Sequence, residues 1–309
     1  MIGELPGERL YTLIAEWSNP RQFPPLFASS ANAWQALYPS IDASIVRAFW
    51  WSGLALSDNL EIVKNLLPEV NFSDFGDVRF LHLGTEWVQG SMLRDAPYDL
   101  ELEYVQRMMV GLLFIDAGLV AKKHAMQFGL GSAALTKFCY KKLRMKTTAV
   151  EINPQVISAC RLWFKLPRDD VRLNVILADA AEEISKPTHH GTVDLLHVDL
   201  YDHEAAAPVL DDADFYARCR DLLTGDGVMT VNLFGRNSSY KQSLIKMAEA
   251  FGPESIWAFT PTREGNTVVM AQREPTRPER AELLRRAGVV ESRWDLPAKK
   301  WLRLFKPVV

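Results

Sequence analysis

From Ala125 onward, short apolar runs alternate with helix-period segments, and this alternation confines the chain to a parallel sheet covered by helices on both faces. A strand buried on both faces reads as a continuous apolar run, whereas a covering helix repeats its apolar residues at three- and four-residue intervals. Strands are therefore expected at Ala125 to Phe128, Thr147 to Val150, Val171 to Leu177, Val193 to Val198 and Val228 to Leu233. Helices are expected over Ala133 to Leu143, Pro154 to Phe164, Ala213 to Leu223 and Ser238 to Ala250, with Pro154 at a favoured first-turn position. The run Thr224 to Gly227 reads as a turn before the fifth strand. Ser255 to Phe259 and Thr267 to Ala271 read as a closing antiparallel hairpin around Glu264, Gly265 and Asn266.

Upstream, Val78 to Leu83 and Glu86 to Met92 predict a small β element, followed by a helix from about Leu100 to Ile115. Residues 1–75 hold Trp17, Trp34, Trp50 and Trp51 in helical patterns broken by prolines, which predicts a packed helical extension, because disordered segments are poor in aromatics. The expected organisation is a helical extension over 1–75, a small β element and linking helix over 76–115, a catalytic domain over 116–273 and a basic segment over 274–309. That last segment carries nine Lys or Arg against five Asp or Glu, interleaved with Trp294, Trp301 and Phe305. An amphipathic segment docked on the domain is expected.

A net charge of −3 gives no global attraction to nucleic acid or anionic lipid, so a small-molecule substrate is the default. The chain has no run of about 18 uncharged apolar residues. The start, with Glu4, Glu8 and Arg9, lacks the order of a signal peptide, and a cytoplasmic location is expected. Cys139, Cys160 and Cys219 form no close pairs, and His189 and His190 lack partners at metal-ligand spacing, so no metal site is expected.

The chemistry-bearing residues fall where strands end. Gly129-Leu-Gly131-Ser132 lies between a predicted strand and helix, the context in which a glycine turn admits a ligand to the backbone or, equally, packs tightly. Glu151 ends the second strand about 20 residues on, where an acid accepts from both ribose hydroxyls of a nucleoside. Asp179 follows the third strand, suited to an adenine amino group or to capping the next helix, roles that are compatible. Asp199 and Asp202 follow the fourth strand. Alkyl transfer from a sulfonium needs a neutral nucleophile, and a carboxylate there takes the proton of an amine or holds its cation; loop capping is the alternative.

Across Leu81 to Gln272 these residues resemble the polyamine aminopropyltransferases, the spermidine synthase family. The resemblance is carried by Tyr104-Val-Gln-Arg-Met-Met, Gly129-Leu-Gly, Val150-Glu-Ile-Asn-Pro, Ala178-Asp-Ala, Val198-Asp-Leu-Tyr-Asp and Asp214-Phe-Tyr-Ala-Arg-Cys-Arg. It implies an α/β fold with the Rossmann-like sheet of adenosylmethionine-dependent transferases and a homodimer. It also implies that Gln106, Gly129, Gly131, Glu151, Asp179 and Ala180 surround decarboxylated S-adenosylmethionine. Asp199 would then be the base and Asp202 would hold the amine acceptor, with Tyr201 between them and no metal required. Two positions depart from the family pattern: Ser132 replaces an Asp that lines the amine end, and Pro261-Thr262-Arg263 replaces Pro-Thr-Tyr. Both lie toward the acceptor, and an acid lost with a cation gained disfavours a diamine. A methyltransferase using intact S-adenosylmethionine, a nicotinamide oxidoreductase, and a nucleoside-binding homologue without turnover remain alternatives.

Overall fold

Within each central strand, neighbouring residues enter opposite hydrophobic layers, which is how a continuous apolar run serves a sheet covered on both sides. Ala125, Leu195, Val228, Val268 and Met270 join one layer, while Met126, Leu196, Met229, Val269 and Ala271 join the other. This computed structural model describes residues 67–200, 210–234 and 238–308. Contacts divide the chain into the units Met1–Glu69 and Val70–Val309, and the described sheets and helices belong to the second. Most of the expected helical extension, with its four tryptophans, lies outside the described residues.

The second unit opens with an antiparallel sheet of β1 (Val70–Phe75), β2 (Val78–Leu83) and β3 (Val88–Leu93). Residues 70–75, expected at the tail of the helical extension, are thus a strand, and their mostly exposed side chains hide it from an apolar-run reading. The linking helix is α1 (Glu103–Met108), which tightens into a 3-10 turn over Met109–Leu113.

The main sheet contains β4 (His124–Phe128), β5 (Lys146–Glu151), β6 (Leu173–Leu177), β7 (Val193–Val198), β8 (Leu223–Phe234), β9 (Ile256–Phe259), β10 (Asn266–Gln272) and β11 (Phe305–Pro307). Their order is β11-β9-β10-β8-β7-β4-β5-β6, with the run from β8 to β6 parallel and the rest antiparallel. The expected closing hairpin is therefore present. Thr224 to Gly227, expected as a turn, instead lies inside β8, where the register against β7 slips between Val193 and Leu195. An irregularity of this kind absorbs turn-type residues without ending the strand.

One layer is built by α2 (Ala134–Lys137), which runs on into a π turn over Phe138–Lys142, by α3 (Pro154–Trp163) and by the C-terminal segment. The other includes α4 (Ala180–Glu183), α5 (Ala213–Leu222) and α6 (Ser238–Phe251). The C-terminal segment forms α7 (Arg280–Trp294), α8 (Ala298–Leu304) and β11, burying Leu283, Ala287, Trp301 and Phe305. Several of its cations are used locally: Arg286 donates to the Leu113 carbonyl, Arg293 to that of Ala117, and Lys300 pairs with Glu103. The segment is docked, as its amphipathic pattern requires.

Candidate active site

Because β4, β5, β6 and β7 run parallel, their last residues and the loops after them share one edge of the sheet, where ligands of open α/β folds bind. Phe128, Glu151, Leu177 and Val198 end these strands. At this edge Gly129 adopts a φ of +82°, and a Cβ there would stand 2.2 Å from the Asp199 carbonyl oxygen. Only glycine lets the turn after β4 lie directly against the loop after β7. At Gly131, φ is +51° and an added Cβ would meet the Gln89 carbonyl at 2.9 Å, so the same turn also presses on β3.

Glu151 is nearly buried, and its carboxylate accepts from the Leu130 amide at 2.9 Å and the Asn153 amide at 2.8 Å. Burial pushes its pKa up, against the pull of those backbone donors. The acid thus braces the glycine turn, and each oxygen keeps lone-pair capacity for a hydroxyl donor. Asn153 caps α3 by accepting from the Gln155 amide, and Asp179 caps α4 by accepting from the Ala181 amide at 2.8 Å. Ala180 is buried behind Asp179, while Gln106 is half-buried on α1 with its amide donating to the Leu100 carbonyl at 2.7 Å.

Asp199 is held between two elements. Asn232 of β8 donates to its Oδ1 at 2.9 Å, and the Tyr104 hydroxyl of α1 donates to its Oδ2 at 3.3 Å. The residue is half-exposed by surface, yet its carboxyl is densely enclosed, and that enclosure raises its pKa while the two donors lower it.

The remaining expected residues are placed differently. Ser132 is 2% exposed, and its hydroxyl donates to the Ser91 carbonyl at 2.8 Å, tying the glycine turn to β3. Arg263 is exposed in the turn between β9 and β10. Tyr201 and Asp202 lie outside the described residues. The structure adds four residues that strand-end logic passes over: Tyr104, Asn232, Asn266 and Gln89. Asn232 interrupts an apolar strand, a legible sign of a buried polar role. Gln89, whose backbone carbonyl lies beside Gly131, has a buried Nε2 without a hydrogen-bond partner. Among the described residues no cluster of three or more His, Cys, Asp or Glu is arranged to hold a metal, and no helix is long and apolar enough to cross a membrane.

A mixed sheet in this order, with a glycine turn and successive strand-end acids at the carboxyl edge of its parallel run, defines a Rossmann-like adenosylmethionine-dependent transferase fold. Residues 129–276 match the Spermine/spermidine synthase domain. A polyamine aminopropyltransferase of Neisseria meningitidis is 34% identical over 249 residues, covering 80% of this chain and 92% of that protein. A probable spermidine synthase from Corynebacterium glutamicum superposes with a TM-score of 0.59 at 18% identity, over 73% of this chain and 82% of its own. Human methyltransferase-like protein 13, solved in complex with SAH, superposes with a TM-score of 0.57 at 22% identity, over 63% and 93%. These two structural likenesses speak to the fold. The sequence match extends along nearly the whole Neisseria protein, and the chain belongs to the polyamine aminopropyltransferase family.

Proposed function

We propose that this enzyme moves an aminopropyl group from decarboxylated S-adenosylmethionine to an amine, with Asp199 receiving the amine's proton. The observation that carries the assignment is the contact between the Gly129 turn and Asp199, which makes a nucleoside seated on the turn a neighbour of an enclosed carboxylate. In this reading Glu151 takes the ribose hydroxyls, and Asp179 and Ala180 border the base. Gly129 and Gly131 let the ligand approach the backbone, with Gln106 nearby from α1. Once deprotonated, the amine nitrogen attacks the carbon beside the sulfonium. The C–N bond forms as the C–S bond breaks, and sulfur leaves with the electron pair as neutral methylthioadenosine. Most of the acceleration comes from positioning.

The acceptor side, in the same reading, involves Tyr201, Asp202 and Arg263. Ser132 supplies no charge and its hydroxyl is already used by Ser91, while Arg263 stands at the sheet edge that carries Asp199. A diamine is a dication at neutral pH and is best held by acids at both ends. A like-charge pair about 6 Å apart at an effective dielectric near 20 is unfavourable by about 3 kcal/mol. An amine carrying an anionic or neutral polar group is therefore the better acceptor. A cytoplasmic location and a homodimer complete the proposal; three buried, unpaired cysteines support the former, and family resemblance the latter.

The test offers decarboxylated and intact S-adenosylmethionine with putrescine, cadaverine, spermidine and amino-acid acceptors, and measures methylthioadenosine release. The expected result is turnover with the decarboxylated donor, weak for putrescine, lost in Asp199→Asn and improved for putrescine in the Ser132→Asp, Arg263→Tyr double variant. Methyl transfer from the intact donor, or efficient wild-type use of putrescine with no gain in the double variant, would refute the respective part.

A further inference from the structure

We infer that Asn266 and Asn232 form a directional amide relay that holds Asp199 as a hydrogen-bond acceptor, which makes both asparagines positioning residues for the base. The inference rests on the assignment of Asp199 as the proton acceptor and extends it to the hairpin that closes the sheet.

Asn232 lies in β8 opposite Val268 of β10, and Asn266 begins β10 opposite Phe234. Both are buried, at 4% and 9% exposure, so the orientation of each carboxamide is decided by protein neighbours. A carboxamide presents an acceptor at one end and donors at the other. Asn266 Nδ2 donates to Asn232 Oδ1 at 3.1 Å, which turns the Asn232 amino group toward Asp199 Oδ1 at 2.9 Å. The reverse orientation would set the Asn232 oxygen against a carboxylate oxygen and its amino group against that of Asn266.

Asn266 is itself anchored by its backbone. Its amide donates to Thr262 Oγ1 at 3.2 Å, and its carbonyl accepts from the Thr262 amide at 2.7 Å. The turn carrying Arg263 is thereby linked through two carboxamides to the base. The same turn is fastened on its other side, where Arg107 of α1 donates to the Thr260 carbonyl at 2.6 Å, and α1 also supplies Tyr104 to Asp199. Among the described residues, both donors on Asp199 therefore come from elements tied to one turn.

The surrounding charges leave this relay in control. Glu103 and Arg107 on α1 pair with each other, Glu151 is bound to loop amides, and Arg263 is exposed. His197, two residues before Asp199, is buried between Thr230 and Cys139. Asp202 lies outside the described residues and is common to every variant tested. Among the described residues no ion pair reaches Asp199, so its proton affinity reflects enclosure against its hydrogen-bond donors.

The test titrates the Asp199 carboxyl directly by carbon NMR of aspartate-labelled protein, with the signal assigned by Asp199→Asn. Asn266→Asp is nearly isosteric and acceptor-only, so it draws the Asn232 amino group away from Asp199. Asn266→Ala removes the donor. Both should raise the Asp199 midpoint by about one pH unit, leaving about tenfold less carboxylate below it. The acid limb of kcat/KM should move by the same amount, with affinity for methylthioadenosine unchanged. An unmoved midpoint in folded Asn266→Asp overturns the relay. A raised midpoint with an unmoved acid limb upholds the relay and instead removes Asp199 from the role of base.

Discussion

Glu151 bonds one oxygen to the glycine turn and the other to the start of α3, so one side chain fixes the spacing of two loops at the carboxyl edge of the parallel strands. Glu151→Gln keeps the shape but sets an amino group against either Leu130 N–H or Asn153 N–H. A buried donor left facing a donor costs about 1 to 3 kcal/mol, and a lost charged acceptor costs a ligand hydroxyl a similar amount. We expect the variant to be less stable and to bind methylthioadenosine roughly ten- to hundredfold more weakly. Loss of stability alone would not change selectivity. The decisive comparison is with the 2′-deoxy analogue, which wild type should reject and Glu151→Gln should bind about as well as methylthioadenosine. Equal discrimination by both proteins would place the ribose elsewhere.

The elements divide by how far their physics is local. The central strands were legible because burial on both faces writes a continuous apolar run, and the strand-end acids followed because parallel topology gathers strand ends at one edge. β1 was not, since its outward side chains remove that run, and Thr224 to Gly227 misled because residues that favour turns also suit an irregular strand. The Tyr104, Asn232 and Asn266 contacts join distant parts of the chain, so no local spacing announces them; Asn232 left a trace as a polar break in an apolar strand, and Tyr104 as the first residue of a family motif. The glycine turn is local in sequence but tertiary in its reason, and that yields a graded prediction. Gly129→Ala meets backbone at 2.2 Å, Gly131→Ala meets backbone at 2.9 Å, and Gly191→Ala, at φ +66°, meets nothing within 4 Å. All three carry the strain of a positive φ, of order 1 kcal/mol, and the first two add a clash that grows as the distance shrinks. Loss of thermal stability and of methylthioadenosine affinity should therefore be greatest at Gly129, smaller at Gly131, and at Gly191 confined to stability. Full nucleoside binding by Gly129→Ala would show that the turn does not contact the ligand.

At the scale of the whole molecule, the buried histidines of the central sheet tie stability to pH. His124 is bonded to Thr148 and Thr192, and burial, helped by Lys146, lowers its pKa to about 4. His197 is bonded to Thr230, and burial lowers its pKa to about 3. Both are neutral in the folded protein where the unfolded chain, with an ordinary value near 6.5, takes up a proton. Between about pH 6.5 and the folded values the unfolded state binds more protons, so stability is full above 6.5 and falls on acidification. Each histidine contributes a slope of up to about 1.4 kcal/mol per pH unit. Glu151 and Asp199 act with the opposite sign, because a raised carboxyl pKa makes the folded state the better proton binder as pH falls. The net curve mixes the two effects, but their difference between proteins does not. His197→Gln removes one titrating group and leaves the carboxyls in place. Its urea-unfolding free energy should start lower at pH 7.5, from imperfect repacking, yet decline less steeply between pH 6 and 4.5, by about one proton's worth of slope. Parallel curves for wild type and variant would mean that His197 is already protonated in the folded sheet.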